Sequence, residues 1–328
     1  MRSIVWMSEP LTQALRECAP AEITVVKTAR EFMEARRDSS TVSFVDDTTL
    51  PLLGTGETWP GHIIVVCDDS LQTAVSWLPT HPWLAHVVSS PMLQHPMARE
   101  HLGNVMATLT KEGAPRLLDW LGPTIAGRRI RLTHASKRVE RLERMSEYLD
   151  SKGIGTRTVQ LLRDAAEELL TNAFYDAPVA AGALDHAISR TQDVSLPDDS
   201  ACDMVYGCRD DLAVVRVRDP FGSLNRARLV ETLLRCSRTD GKVEVDETMG
   251  GAGLGLWRIF SVASFAAISV VNNRHTEFLV GIGKKAPGPR PFAFHMFWRE
   301  GARRRFWKLQ EENSSRPSVN HSVTIVPK

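Results

Sequence analysis

At 328 residues the chain is long enough for about two domains of ~150 residues, each able to bury a core. Lys plus Arg number 40 against 39 for Asp plus Glu, and charged residues are 24% of the chain beside 43% hydrophobic ones. That balance excludes a dedicated nucleic-acid binder, an acidic-tail protein and a disordered chain, and says nothing positive about chemistry. The cysteines at 18, 67, 202, 208 and 236 are scattered without a C-x-x-C pair, so neither a disulfide framework nor a zinc site is expected. The N-terminal apolar run turns polar too early for a signal peptide. No apolar stretch approaches the ~20 residues of a membrane helix. The expectation is a cytoplasmic protein with no membrane or nucleic-acid partner.

In chain order, residues 3–8, 22–28, 41–47, 61–69 and 84–90 read as strands. Helical patterns over 10–19, 29–37, 70–78 and 97–111 interleave with them. This alternation predicts an α/β domain over 1–115, built on a doubly wound parallel sheet. Residues 116–127 are a Gly/Pro-punctuated linker. From 128 to 285 the order changes: a strand, a helix with Val139, Leu142, Met145 and Leu149 on one stripe, and a second helix over 156–177. Ser136 is the expected N-cap of the first helix and Gly153 its stop. A strand pair over 204–219, a glycine-rich turn into a helix, and a final strand pair complete an α+β unit. An aromatic and basic extension occupies 286–328; its alternating Phe292, Phe294, Met296 and Trp298 suggest an edge strand or a partner-docking surface. Arg303, Arg304, Arg305 and Lys308 follow, offset by Glu300, Glu311 and Glu312.

The first domain resembles a response-regulator receiver by architecture more than by motif. Its third strand ends in Asp46 and Asp47, which suits a phosphoaccepting aspartate, but the first strand ends in Ser8 and Glu9. Where a receiver carries lysine then proline, this chain has Ser90 and Pro91. Without that lysine the resemblance implies a pseudo-receiver used for docking or dimerisation. A homodimer is therefore one of its open readings, and Asp46 alone is equally a turn residue.

Three boxes in the second unit carry chemistry. Glu168, Asn172 and Asp176 fall at i, i+4 and i+8 of one helix, drifting about 80° and so sharing a polar side. Asp219 ends a β-branched strand, where a carboxylate can accept from the exocyclic amine of adenine, although Asp-Pro also starts turns. Gly250, Gly251, Gly253 and Gly255 lead into a helix whose N–H groups suit phosphate, or form a plain hinge.

The order and spacing of these boxes resemble the GHKL (Bergerat-fold) ATPases over Arg128 to Gly283. The match is E-x-x-x-N-x-x-x-D-A at Glu168–Ala177, Asp219, G-x-G-L-G-L at Gly251–Leu256, and Thr276 in a late strand. The resemblance implies a two-layer Bergerat sandwich binding ATP and Mg²⁺. Asn172 would hold the Mg²⁺, a hard cation suited to oxygen ligands. Glu168 would be the general base. Asp219, Gly222, Asp176 and Thr276 would serve the nucleotide, and Gly251, Gly253, Leu254 and Gly255 the triphosphate. Two departures stand out: Phe221 replaces the usual glycine, with Gly222 displaced by one, and Asp176 stands where many members have histidine. The stretch between the last two boxes is long enough for a lid, with Arg235, Arg238 or Lys242 as γ-phosphate contacts or as solvated charges.

The strand and helix directly before the asparagine box look like the anti-sigma-factor serine kinases. His134 lacks the surroundings of a phosphoacceptor and reads as a strand end. Three functions stay open: a serine/threonine kinase in partner switching, an ATP-binding module that sequesters a protein partner without transfer, and a histidine-kinase-like remnant serving a separate phosphotransfer protein.

Overall fold

The computed structural model of the protein describes residues 2–36, 41–55, 61–111, 113, 115–122, 125–184, 189–238, 254–284 and 289–301. The alternating apolar runs of the first part form β1 (Arg2–Trp6), β2 (Glu22–Val25), β3 (Val42–Asp46), β4 (His62–Cys67) and β5 (His86–Ser89). Between and after them lie α1 (Glu9–Cys18), α2 (Ala29–Ala35), α3 (Leu71–Ser76), α4 (Ser90–Leu93) and α5 (Ala98–Thr110). All five strands are parallel in the spatial order 2-1-3-4-5, a doubly wound arrangement. Hydroxyl caps start two of the helices: Thr28 accepts from the N–H of Glu31 and Ser70 from that of Thr73.

The second part contributes β6 (Ala126–Leu132), α6 (Arg138–Ser151), α7 (Thr156–Thr171), α8 (Ala177–Ala180), β7 (Cys202–Arg209), β8 (Leu212–Asp219), α9 (Arg226–Arg238), α10 (Leu254–Val262), β9 (Phe265–Val271), β10 (His275–Ile282) and β11 (Ala293–Arg299). Strand and helix order follows the sequence pattern closely. On α6, however, Val139 is 55% exposed, and Arg138 takes its place on the buried face. There the guanidinium stacks over Tyr175 and donates to Thr171 Oγ1 and the Ala135 carbonyl. Ser136 does not cap α6. A 3₁₀ turn precedes the helix, and Ser136 instead donates through its N–H and its hydroxyl to the Asp193 carboxylate. Gly153 closes that helix at φ +79°, as expected of a stop glycine.

The largest departure concerns the extension. Rather than lying at an edge, β11 sits in the middle of one 11-stranded mixed sheet, ordered β2-β1-β3-β4-β5-β11-β9-β10-β8-β7-β6. It pairs antiparallel with β5 and parallel with β9. Phe292, Phe294, Met296 and Trp298 do share one face, but Ala293, His295 and Phe297 on the other face are equally buried. A strand buried on both faces belongs inside a sheet. Two cores result, one on each face, and both run through the two halves. Within the linker stretch a short 3₁₀ helix (Leu117–Leu121) buries Leu117, Trp120 and Leu121, and the Trp120 indole donates to Thr108 Oγ1 at 2.8 Å. All five cysteines are free and buried, and among the described residues no helix is long and apolar enough to cross a membrane.

His86 of β5, His101 of α5 and His295 of β11 meet at the seam between the halves, each 5% exposed or less. His101 and His295 share a ring-nitrogen hydrogen bond of 3.0 Å, and His86 stacks on His295 at 5.6 Å. Burial lowers all three, His86 and His101 to about 3. Because the unfolded chain binds these protons and the folded chain does not, stability present above about pH 6.5 is lost as pH falls toward 3. Thermal melts from pH 7 to pH 4 are expected to fall steeply, and a His101→Phe/His295→Phe double variant to show a shallower slope. Parallel slopes would contradict this account.

Candidate functional site

The faces of β8 and α7 set the site. Val215 and Val217 of β8 pack beneath Leu162, Ala166 and Leu169 of α7, so Asp219, of the same parity, emerges under the end of that helix. Helix α7 is α-helical only to Thr171. Asn172–Asp176 form a π turn before α8 resumes at Ala177. The wider turn rotates less per residue, so Asn172 and Asp176 stay closer to one face than an unbroken α-helix would hold them. Local bonding thus aims the asparagine box at the strand end.

Asn172, Asp176, Asp219 and Thr276 line one cavity of about 150 Å³. Its apolar walls include Leu169, Leu224, Leu229 and Phe278; Arg228 and Arg235 of α9 also line it. Asp219 is buried at 7% exposure, and its Oδ1 accepts from the N–H groups of Phe221 (2.8 Å) and Gly222 (3.3 Å). Burial pushes this carboxyl up to about 6 despite those bonds and Thr276, which stands directly opposite in β10. Asp176 is also raised by burial, with Arg190 and Arg228 opposing; the Arg190 guanidinium lies 3.8 Å from it.

Phe221 does not line this cavity. Its ring is fully buried in the core, and its N–H does the work of holding Asp219. Gly222 adopts φ +63°, and a Cβ there would collide with the Val271 carbonyl at the β9–β10 turn. The displaced glycine thus serves the backbone path, not the cavity wall.

Glu168 lies beside the cavity, facing α10. A Cβ on Gly255 would collide with the Glu168 Cδ and Oε1, so only glycine admits the carboxylate at this point. Burial raises Glu168, opposed by Arg190, Asn172 and Arg258, and its Oε1 has no hydrogen-bond partner. Since the collision is with the far end of a flexible side chain, Gly255→Ala is expected to cost about 1–3 kcal/mol at most and to swing Glu168 away. Thermal unfolding with a crystal structure of the variant checks this; an unmoved Glu168 would contradict it.

Leu254 begins α10, while Gly250, Gly251, Gly253 and Lys242 lie outside the described residues, as do the tail cations from Arg303 onward. Arg238 ends α9 as an exposed side chain. His134 is an exposed strand-end residue, bridged to Ser195 and hydrogen-bonded to Thr133 and Ser195. Sequence reasoning missed Arg190 and Arg228, whose lone positions carry no motif. Among the described residues no cluster of three or more His, Cys, Asp or Glu is arranged to hold a metal.

In the first half, Asp46 is saturated. Its carboxylate accepts from the Ser8 N–H at 2.6 Å and from the N–H and hydroxyl groups of Thr48 and Thr49. Burial opposes ionisation there, yet these donors outweigh it and hold the carboxyl below its usual range. Asp47 is pushed up to about 6 by burial, with Asp46 and Asp68 adding to the shift. Ser90, at the expected lysine position, donates to Asp68.

No family model and no curated protein matches the chain. Among solved structures, a chain from the crystal structure of the SiaB-SiaC complex of Pseudomonas aeruginosa is similar at 16% identity and a TM-score of 0.35. The match covers 50% of this chain and 94% of that one.

Proposed function

We propose that the second half is a GHKL-type domain that binds Mg-ATP in the Asn172–Asp219–Thr276 cavity and transfers phosphate to a serine or threonine of a protein partner. The receiver-like first half, with its saturated Asp46, is a docking module in this reading. The single observation that carries it is the convergence of two sequence boxes, from a π turn and a strand end, on one partly apolar cavity. The cavity, walled by Leu169, Leu229 and Phe278 with Asp219 and Thr276 beside them, suits a planar base, whose phosphates would project toward α10. An ionised Asp219, anchored through one oxygen, accepts from the exocyclic amine. The Asn172 carbonyl oxygen is the kind of donor a hard cation takes together with phosphate oxygens. Mg²⁺, when bound, neutralises phosphate charge. Glu168 takes the proton from the substrate hydroxyl, and its raised affinity for protons suits that task. Arg228 and Arg235 supply positive charge at the mouth.

The test is capture of the partner followed by incubation with γ-labelled ATP. Label is expected on a partner serine or threonine, and Glu168→Gln is expected to keep nucleotide binding while losing roughly 10²–10⁴-fold in transfer. Unchanged transfer in that variant would overturn the kinase reading. One observation favours sequestration without transfer: Glu168 lies against Gly255 and not among the cavity-lining residues. Under that reading the partner is held tightly and carries no label.

A further inference from the structure

A second cavity lies at the seam, where the sheet is notched. Strand β5 begins at His86, whereas its two neighbours run on beyond it. The β5–β11 ladder ends at His86↔His295, with one further bond from the Met296 N–H to the Ala85 carbonyl at 2.8 Å. On the other side, β4–β5 pairing starts only at Ile64↔His86. The start of β4 and the end of β11 therefore face each other across a missing rung, leaving a cavity of about 230 Å³.

Its lining is chemically lopsided. Trp83, Phe297 and Trp298 supply aromatic surface, and His62, His86 and Arg299 supply polar groups, while none of the lining residues is acidic. His86 is 5% exposed, and its Nδ1 has no hydrogen-bond partner, although a buried polar nitrogen ordinarily finds one. Arg299 and Arg36 both bear on His62, which is lowered first by burial and then by these two cations. The volume exceeds the ~150 Å³ that takes a bare benzene ring and falls short of the ~300 Å³ at which drug-sized pockets begin. One ring with one small substituent fits that interval.

We propose that the seam cavity is a binding site for a small aromatic carboxylate, with its ring against Trp83, Phe297 and Trp298 and its carboxylate toward His62, His86 and Arg299. Such a ligand fills the missing rung and so ties β4 of the first half to β11. The site is separate from the Asp219 cavity, sharing no lining residue with it. It stands whether or not ATP binds there.

Fluorine NMR of 4-fluorobenzoate with the full chain tests this. Saturable line broadening is expected, weakened roughly tenfold by Arg299→Gln and by His86→Phe, since each removes one polar contact to the carboxylate. Fluorobenzene, which lacks the carboxylate, is expected to bind more weakly by a similar factor. Excess Mg-ADP is expected to leave the signal unchanged. Absence of saturable binding, equal affinity for fluorobenzene, or displacement by Mg-ADP would each overturn the proposal. Because Arg299 is exposed, Arg299→Gln keeps the fold even where His86→Phe does not, and an unchanged affinity in it would also overturn the proposal.

Discussion

Asp219→Asn is expected to lower ATP affinity by about 3 kcal/mol, roughly a hundredfold, with little change in stability. The asparagine carbonyl can still accept from the Phe221 and Gly222 N–H groups, so the turn survives. What the variant would lose is the charged acceptor proposed for the exocyclic amine of adenine. Its amide N–H₂ can instead donate to the carbonyl that guanine bears at that position, so preference for ATP over GTP should collapse in the variant. The wild-type protein offers an independent check through pH. With the carboxyl pushed up to about 6 by burial, ATP affinity should hold at pH 7 and weaken as pH falls through 6. Calorimetric titrations at several pH values, on both proteins, measure both effects.

The second large effect lies on the opposite face of the same sheet. Arg216 of β8 is 4% exposed, and it bonds Asp203 of β7 at 2.6 Å and Glu277 of β10. Asp203 takes a further bond from the exposed Arg129 at 2.7 Å, and its arginine partners hold it below the usual carboxylate range against the opposing effect of burial. Arg216→Met would leave two buried carboxylates without their shared cation, and is expected to cost about 3–5 kcal/mol in urea denaturation. Arg129→Met, at the exposed end, should cost less than about 1 kcal/mol. Equal losses in the two variants would show that burial does not set the cost.

The Arg216 network also marks where sequence reading stops. The β-branched run over 213–219 reads as one strand of a pair, with no local sign that Arg216 is buried. The strand holds, but Arg216 is buried because β7 and β10, distant in sequence, bring carboxylates to it. The same limit explains β11. Its alternating aromatics announce a strand, while its place between β5 and β9 depends on two partners that no local pattern names. By contrast, α7 and β8 were legible as elements, because each is a long run with a clean period, and their packing fixes where Asp219 emerges. The asparagine box was legible as a motif but not as a π turn, since i→i+5 bonding leaves no periodic trace in five residues. Gly255 read as a phosphate-loop glycine; its described surroundings add a second reason, the Glu168 carboxylate packed against it.

The halves are joined by more than the sheet. Helix α9 lines the Asp219 cavity with Arg228 and Arg235, and through Arg226 it donates to the Leu84 carbonyl of the first half at 2.9 Å. A displacement of α9 would therefore bear on the first half through this bond.

The central claim, that this cavity reads adenine, is tested most directly by calorimetric titration of the full chain with Mg-ATP and, separately, Mg-GTP. The account predicts a saturable heat with Mg-ATP, lost in Asn172→Ala, and a far weaker response to Mg-GTP. Absence of any heat with Mg-ATP, or equal binding of the two nucleotides, would contradict it.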